Sequence, residues 1–185
     1  MVDWNKAYES GRDFRAISQQ DISDFIKDIL PVQGKRSLDI GCGTGQLTRE
    51  LWHRGLKPTG IDISESAIRL AKSYTVLGSD EINYQVFNLE TSASADLTDK
   101  QFSLITCKLV YAFIEDKDTF LCNVTKLLAD DGVFVILTPL KGQVPLEKAH
   151  IAVVYEDTVK EIERYFTIIE TRKDEVQMIF TCRLR

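Results

Sequence analysis

The stretch Leu38-Asp39-Ile40-Gly41-Cys42-Gly43-Thr44-Gly45-Gln46-Leu47 holds the residue types and spacing best suited to chemistry in this 185-residue chain. Glycines at three alternate positions let the backbone turn sharply and let a bound molecule approach main-chain atoms without meeting a Cβ. Asp39, two residues ahead of the first glycine, adds a carboxylate at the same place. A phosphate-cradling loop needs Gly-Lys-Ser/Thr, and Gly45 is followed by Gln46, so that reading fails. A dinucleotide fingerprint needs a glycine where Gln46 stands, which weakens NAD binding without removing it. Asp39 would also repel a diphosphate and attract a ligand carrying an ammonium group. A turn with no ligand leaves the glycines unexplained, because they weaken the start of a helix and bring nothing in return.

S-adenosylmethionine (SAM) meets these demands, with Asp39 pairing to its ammonium directly or through water. A second acidic residue ends Gly60-Ile61-Asp62-Ile63-Ser64, 17 residues after Gly45, near the spacing at which a carboxylate accepts from ribose hydroxyls. Ser64 takes the helix-capping role, which frees Asp62 for ribose; this residue alone suits NAD equally. In Val86-Phe87-Asn88-Leu89-Glu90, the Asn88 amide oxygen can meet an adenine amino group and the Leu89 N–H a ring nitrogen. Asparagine also simply ends strands, and both readings stand. Tyr111, Glu115 and His150 are the imaginable general bases, with none singled out, so the catalytic residue is left unassigned. Cys107 as a nucleophile is disfavoured, since a buried strand-end thiol is usually inert.

An alternation of strand and helix patterns must position these residues. Ser37–Ile40, Thr59–Ile63, Ile82–Phe87, Phe102–Cys107 and Val133–Thr138 read as five strands. Helical patterns fall at 18–30 (Ser18 as N-cap; Ile22, Phe25, Ile26, Ile29 and Leu30 on one face), 45–54, after Ser64, 117–128 and 156–165. Asp130-Asp131-Gly132 reads as a turn before the fifth strand. Phe166–Thr171 and Val176–Leu184, joined by a short charged turn at Lys173-Asp174, read as an antiparallel hairpin. Strands alternating with helices imply a mostly parallel sheet covered on both faces, a three-layer αβα sandwich ending in a hairpin.

Composition narrows the partners. A net charge of -5 disfavours nucleic acid, no apolar run reaches spanning length, and the opening residues carry no signal-peptide pattern. Four cysteines without close pairing and two distant histidines suit a reduced, cytoplasmic, metal-independent protein. No linker or repeat interrupts the chain, which reads as one domain over 1–185.

These segments together resemble the class I SAM-dependent methyltransferases. LDIGCGTGQLT looks like their first motif, GIDIS their second and FNLE their adenine-side motif, with FSLITC and LADDGVF similar to the fourth strand and the approach to the fifth. The resemblance covers about residues 36–139 and implies a seven-stranded sheet with a C-terminal antiparallel hairpin. It implies that Asp39, Gly41, Cys42, Gly43, Gly45 and Asp62, with Ile63, Asn88 and Leu89 around adenine, contact SAM. Cys107, Lys108 and Leu109 would lie beside the transferred methyl. Residues 1–34 would form a helical lid, with Trp4, Tyr8 and Arg12 at helical spacing, although an ordinary packing face accounts for them as well. Lys108–Phe113 matches the small-molecule branch, but Ala112 stands where those enzymes often carry histidine, and Ser103 replaces an aspartate. No Asn/Asp-Pro-Pro-Tyr/Phe follows the fourth strand, which disfavours base-amine methylation. A small-molecule acceptor leads and a protein side chain follows, with 139–155 as the substrate loop. The alternatives are a non-catalytic SAM-binding protein and an NAD-dependent reductase.

Overall fold

A computed structural model describes residues 2–11, 33–75, 81–92, 96–97, 101–142, 144, 150–173 and 177–185. The chain divides into two compact units, Met1–Asn88 and Leu89–Arg185. The expected helix over 18–30, Arg12 and much of the 143–149 stretch lie outside the described residues.

The first unit contains α1 (Trp4–Glu9), β1 (Arg36–Ile40), α2 (Gln46–His53), β2 (Lys57–Asp62), α3 (Glu65–Ser73) and β3 (Asn83–Val86). Its strands lie in the order β3-β2-β1, all parallel, with Asp39 beside Gly60 and Asp62 beside Val86. Three carboxyl ends therefore align at one edge. The Ile61 carbonyl at that edge accepts from both Gly41 N–H (2.8 Å) and Cys42 N–H (3.0 Å), which anchors the start of the glycine turn. Beneath it Cys42, Ile68, Ala71 and Tyr84 form a buried cluster with Ile82 against them.

β2 stops one residue before the expected Ile63. The cause is local: Asp62 Oδ1 accepts from the Ser64 N–H at 2.9 Å, an Asx turn that takes the chain off the ladder. Ser64 then caps α3 by accepting from the Ala67 N–H.

The second unit contains β4 (Phe102–Lys108), a 3-10 turn (Tyr111–Phe113), α4 (Lys117–Leu127), β5 (Leu128–Pro139), α5 (Tyr155–Glu163), β6 (Phe166–Lys173) and β7 (Gln177–Leu184). Its strand order is β4-β5-β7-β6. β4 and β5 are parallel, which requires the α4 crossover, and β7 runs antiparallel to both neighbours as the hairpin pattern predicts. A line of buried rings holds this unit together: Tyr111 to Phe120 (6.2 Å between centroids), Phe120 to Phe134 (6.5 Å) and Phe134 to Phe166 (5.3 Å). Burying each of these side chains is worth about 1.5–3 kcal/mol.

The expected turn at Asp130-Asp131-Gly132 is instead part of β5. Phe102 pairs with Leu128 and Leu104 with Val133, so the added residues on β5 form a bulge with Asp130 and Asp131 exposed. A Cβ on Gly132 would lie 2.8 Å from the Ala129 carbonyl oxygen, so the bulge needs glycine there. Turn-forming residues serve a bulge for the same reason they serve a turn: both leave backbone off the ladder. Among the described residues no helix is long and apolar enough to cross a membrane.

Candidate functional site

Gly41, Gly43 and Gly45 adopt φ of +67°, +52° and +80°. An L side chain would cost about 1–2 kcal/mol at each, so the alternation of glycines in the sequence is a backbone requirement. Thr44 stands between two of them, and Gly45 N–H closes the turn onto the Cys42 carbonyl at 2.9 Å. Two tyrosines fill the space that side chains would take. A Cβ on Gly43 would come 2.7 Å from the Tyr8 hydroxyl, and one on Gly45 2.5 Å from the Tyr84 hydroxyl. Tyr8 is a lid candidate by its helical spacing, whereas Tyr84, the second residue of β3, figures in no sequence motif for the turn.

Asp62 is 7% exposed, and its carboxylate holds the turn from the neighbouring strand. Oδ2 accepts from Gly43 N–H at 3.0 Å while Oδ1 accepts from Ser64 N–H. These bonds occupy about half of the roughly four lone-pair positions a carboxylate offers. Burial raises the Asp62 carboxyl above its usual range, and the backbone N–H groups of Ser64, Gly43 and Ile63 oppose that rise. Asp39 is 1% exposed and lies below the turn, where the Thr48 hydroxyl on α2 donates to its Oδ2 at 2.6 Å. That contact has no sequence signature. The Cys42 thiol is pushed well up, first by burial and then by the charges of Asp39 and Asp62. The turn therefore lies in the negative field of two carboxylates, a setting that suits a cation. Ile63, next to Asp62, is 50% exposed.

α1 docks on this region through polar contacts that sequence reading missed. Asn5 Oδ1 accepts from Ser64 Oγ (2.8 Å) and Ser66 N–H (3.3 Å), and Glu9 Oε1 accepts from Ser66 Oγ (2.9 Å). Tyr8 is buried, Trp4 half-buried, and Arg12 lies outside the described residues. The helical spacing of Trp4 and Tyr8 suggests a lid or a packing face, but the polar partners Asn5 and Glu9 carry no such signal.

In the second unit the Leu89 carbonyl accepts from Asn123 Nδ2 at 2.8 Å, and Glu90 Oε1 accepts from Glu115 N–H (2.8 Å) and Asp116 N–H (2.9 Å). Asn88, at the end of the first unit, is half-buried. Cys107 is fully buried at the end of β4 and Lys108 half-buried. Leu109 follows at φ +59°, a left-handed conformation that its N–H bond to the Leu137 carbonyl (2.7 Å) holds in place.

The candidate base Tyr111 is held inside the second unit. It is fully buried, its hydroxyl donates to Glu161 Oε2 at 2.9 Å, and burial with the Glu161 charge keeps it protonated well above the ordinary phenol range. Lys117 Nζ sits 5.4 Å from its ring centroid and donates to the Ile114 carbonyl, which fixes the 3-10 turn instead. Glu115 and His150 are exposed. Burial alone pushes Cys182 up to about 12. Among the described residues no three His, Cys, Asp or Glu side chains gather as a metal site.

The first unit thus brings together Asp39, Gly41, Cys42, Gly43, Gly45 and Asp62, around bare backbone with negative charge behind it. These features fit SAM, whose sulfonium and ammonium outweigh its carboxylate.

Comparison with known proteins follows the same direction. A family model described as a methyltransferase domain matches residues 31–180. A ubiquinone biosynthesis O-methyltransferase from Coxiella burnetii is 32% identical over 108 residues, which cover 58% of this chain and 45% of that protein. The chain thus spans less than half the length of that curated relative. Among solved structures, a protein from Pyrococcus horikoshii OT3 superposes with a TM-score of 0.79 at 16% identity, covering 100% of both chains. A TehB-like SAM-dependent methyltransferase from Corynebacterium glutamicum gives 0.72 at 19% identity, covering 98% of this chain and 94% of its own. These likenesses show the fold, the seven-stranded Rossmann-like α/β architecture with its antiparallel hairpin. With the family match over residues 31–180, the chain belongs to the family of methyltransferase domains and carries their seven-stranded Rossmann-like fold.

Proposed function

We propose that this chain is one methyltransferase domain over 1–185 that moves a methyl group from SAM to a small molecule in the cytoplasm. The observation that carries the reading is the left-handed glycine turn between two buried carboxylates. Asp62 takes the ribose hydroxyls on its remaining lone pairs, and Ile63 offers an apolar surface to adenine beside Asn88. Asp39 is too deep for open contact, so it acts on the methionine ammonium through its charge and a bridging water.

SAM supplies a methyl group already activated by the sulfonium charge. The chain's own part is alignment, desolvation and exclusion of water. The O-methyltransferase relative supports a hydroxyl acceptor, and the 139–155 segment is assigned to the acceptor side.

Calorimetry with SAM, S-adenosylhomocysteine and NAD tests the donor, and a metabolite screen read as S-adenosylhomocysteine formation tests the transfer. Binding of both SAM compounds but not NAD, with turnover on a hydroxyl-bearing metabolite, is expected. NAD binding without SAM binding would overturn the proposal. Tight SAM binding with persistent silence in the screen would leave a binding protein.

A further inference from the structure

Asn5 is an exposed residue of α1, yet its amide oxygen accepts two bonds from the start of α3, 59 and 61 residues along the chain. Ser64 Oγ donates to it at 2.8 Å and the Ser66 N–H at 3.3 Å. Little apolar area is at stake at an exposed position, so packing gives no reason for this residue type there. Its chemistry does. The first N–H groups of a helix have no partner within it. At α3 the Ser64 hydroxyl takes the Ala67 N–H at 3.1 Å, and Asn5 takes the Ser66 N–H. The single proton of the Ser64 hydroxyl goes to Asn5, which fixes the rotation of that hydroxyl.

Ser64 is also the residue that holds Asp62. Its N–H donates to Asp62 Oδ1 at 2.9 Å, while the Gly43 N–H donates to Oδ2 at 3.0 Å. A carboxylate gripped on both oxygens has its plane set, and its remaining lone pairs are set with it. α1 bears on both ends of this grip. Asn5 holds Ser64, and the Tyr8 hydroxyl lies 2.7 Å from where a Cβ on Gly43 would stand. Glu9 ties the same helix down one step away, accepting from Ser66 Oγ at 2.9 Å and pairing with Arg69 at 3.5 Å. Its anchors are thus Ser66 and Arg69 rather than Ser64.

We infer that Asn5, acting through Ser64, sets the plane of the Asp62 carboxylate and thereby the preference of the donor site for a ribose that carries its hydroxyls. This inference rests on the SAM-binding reading above, and Asn5 is a positioning residue in it. Losing the Asn5 oxygen frees the Ser64 hydroxyl and loosens the N–H that grips Asp62 Oδ1. The carboxylate can then rotate away from the angle that two hydroxyl donors need. Hydrogen bonds weaken steeply with misalignment, whereas apolar contact and the charge of Asp39 do not depend on that angle. The loss therefore falls on a ligand that carries the hydroxyls and spares one that lacks them.

The test is the ratio of affinities for S-adenosylhomocysteine and its 2′,3′-dideoxy analogue, measured by calorimetry on the full chain. The unaltered protein is expected to favour the hydroxyl-bearing compound by roughly tenfold or more, as sites built to hydrogen-bond a ligand group do. In Asn5→Ala the ratio should fall by about three- to tenfold, the range that one net hydrogen bond spans, through weaker binding of S-adenosylhomocysteine. Asn5→Asp keeps the accepting oxygen and should hold the ratio, since its added charge acts on both ligands alike. Glu9→Ala loosens α1 elsewhere, so it should lower Tm and leave the ratio in place. Ser64→Ala removes the other end of the bond and should reproduce the fall, with Asn5→Ala adding nothing to it in that background. An unchanged ratio in Asn5→Ala, or an equal fall in Glu9→Ala, would overturn the inference. If Asn5→Ala does not fold, Ser64→Ala alone decides, and an unchanged ratio there overturns it. A ratio near one in the unaltered protein would overturn the inference alone; no S-adenosylhomocysteine binding at all would remove the donor reading with it.

Discussion

Replacing Gly43 with alanine perturbs the glycine turn at a point where two separate costs can be told apart. Gly43 sits at φ +52°, so any L side chain there carries about 1–2 kcal/mol of backbone strain. The new Cβ would also lie 2.7 Å from the Tyr8 hydroxyl, an overlap of the kind that costs about 1–3 kcal/mol in a packed site. Gly43→Ala should therefore lose about 2–5 kcal/mol, or roughly 4–20 °C in Tm for a chain of this size. The next Tyr8 atom, Cζ, would be 3.5 Å away, an ordinary contact. Tyr8→Phe thus removes the overlap and leaves the backbone strain. In that background Gly43→Ala should cost only about 1–2 kcal/mol, a coupling of about 1–3 kcal/mol between the two sites. Urea unfolding of the four proteins at constant m-value measures each term. If the two losses add within about 0.5 kcal/mol, the hydroxyl does not fill the space above Gly43 and the account of α1 docking is wrong.

Two further outcomes follow from buried ionisable groups. Burial raises the Asp62 carboxyl, so the native state binds its proton more tightly than the unfolded chain does. Stability of the ligand-free protein, taken relative to Asp62→Asn, should therefore fall as pH rises from the ordinary carboxylate value of about 3.9 through the raised one. Urea midpoints across that range check the sign, and a relative stability that climbs with pH would refute it. Tyr111→Phe should lose roughly 1–3 kcal/mol through the bond to Glu161. It should also leave the pH profile of methyl transfer unchanged from about pH 6 to about pH 9, where an ordinary phenol near 10 stays protonated. A missing basic limb in the variant would restore Tyr111 as a proton acceptor.

Periodicity placed each described strand, and the glycine spacing located the turn, because both record backbone demands that neighbouring residues satisfy locally. Gly41, Gly43 and Gly45 all proved left-handed, and Ser64 caps its helix as its position suggested. What escaped the sequence was every contact made across space. Thr48 donating to Asp39, Tyr84 covering Gly45 and Asn123 holding Leu89 join residues that no local pattern connects. Asp62 shows the limit in one residue: its spacing suited ribose, but its bonds to Gly43 and Ser64 show that it also builds the turn. The bulge in β5 was misread because glycine and aspartate mark departures from regular pairing without saying whether the strand resumes.

The hairpin's order in the sheet constrains how the second unit comes into being. β7 lies between β5 and β6, yet it is synthesised after both. As the chain leaves the ribosome, the ladder edge of β5 and the partner edge of β6 stay bare until β7 emerges and is threaded between them. During that interval two rows of unpaired peptide groups are open to other nascent chains. Fast closure by β7 is then a defence against aggregation as well as the last step of assembly.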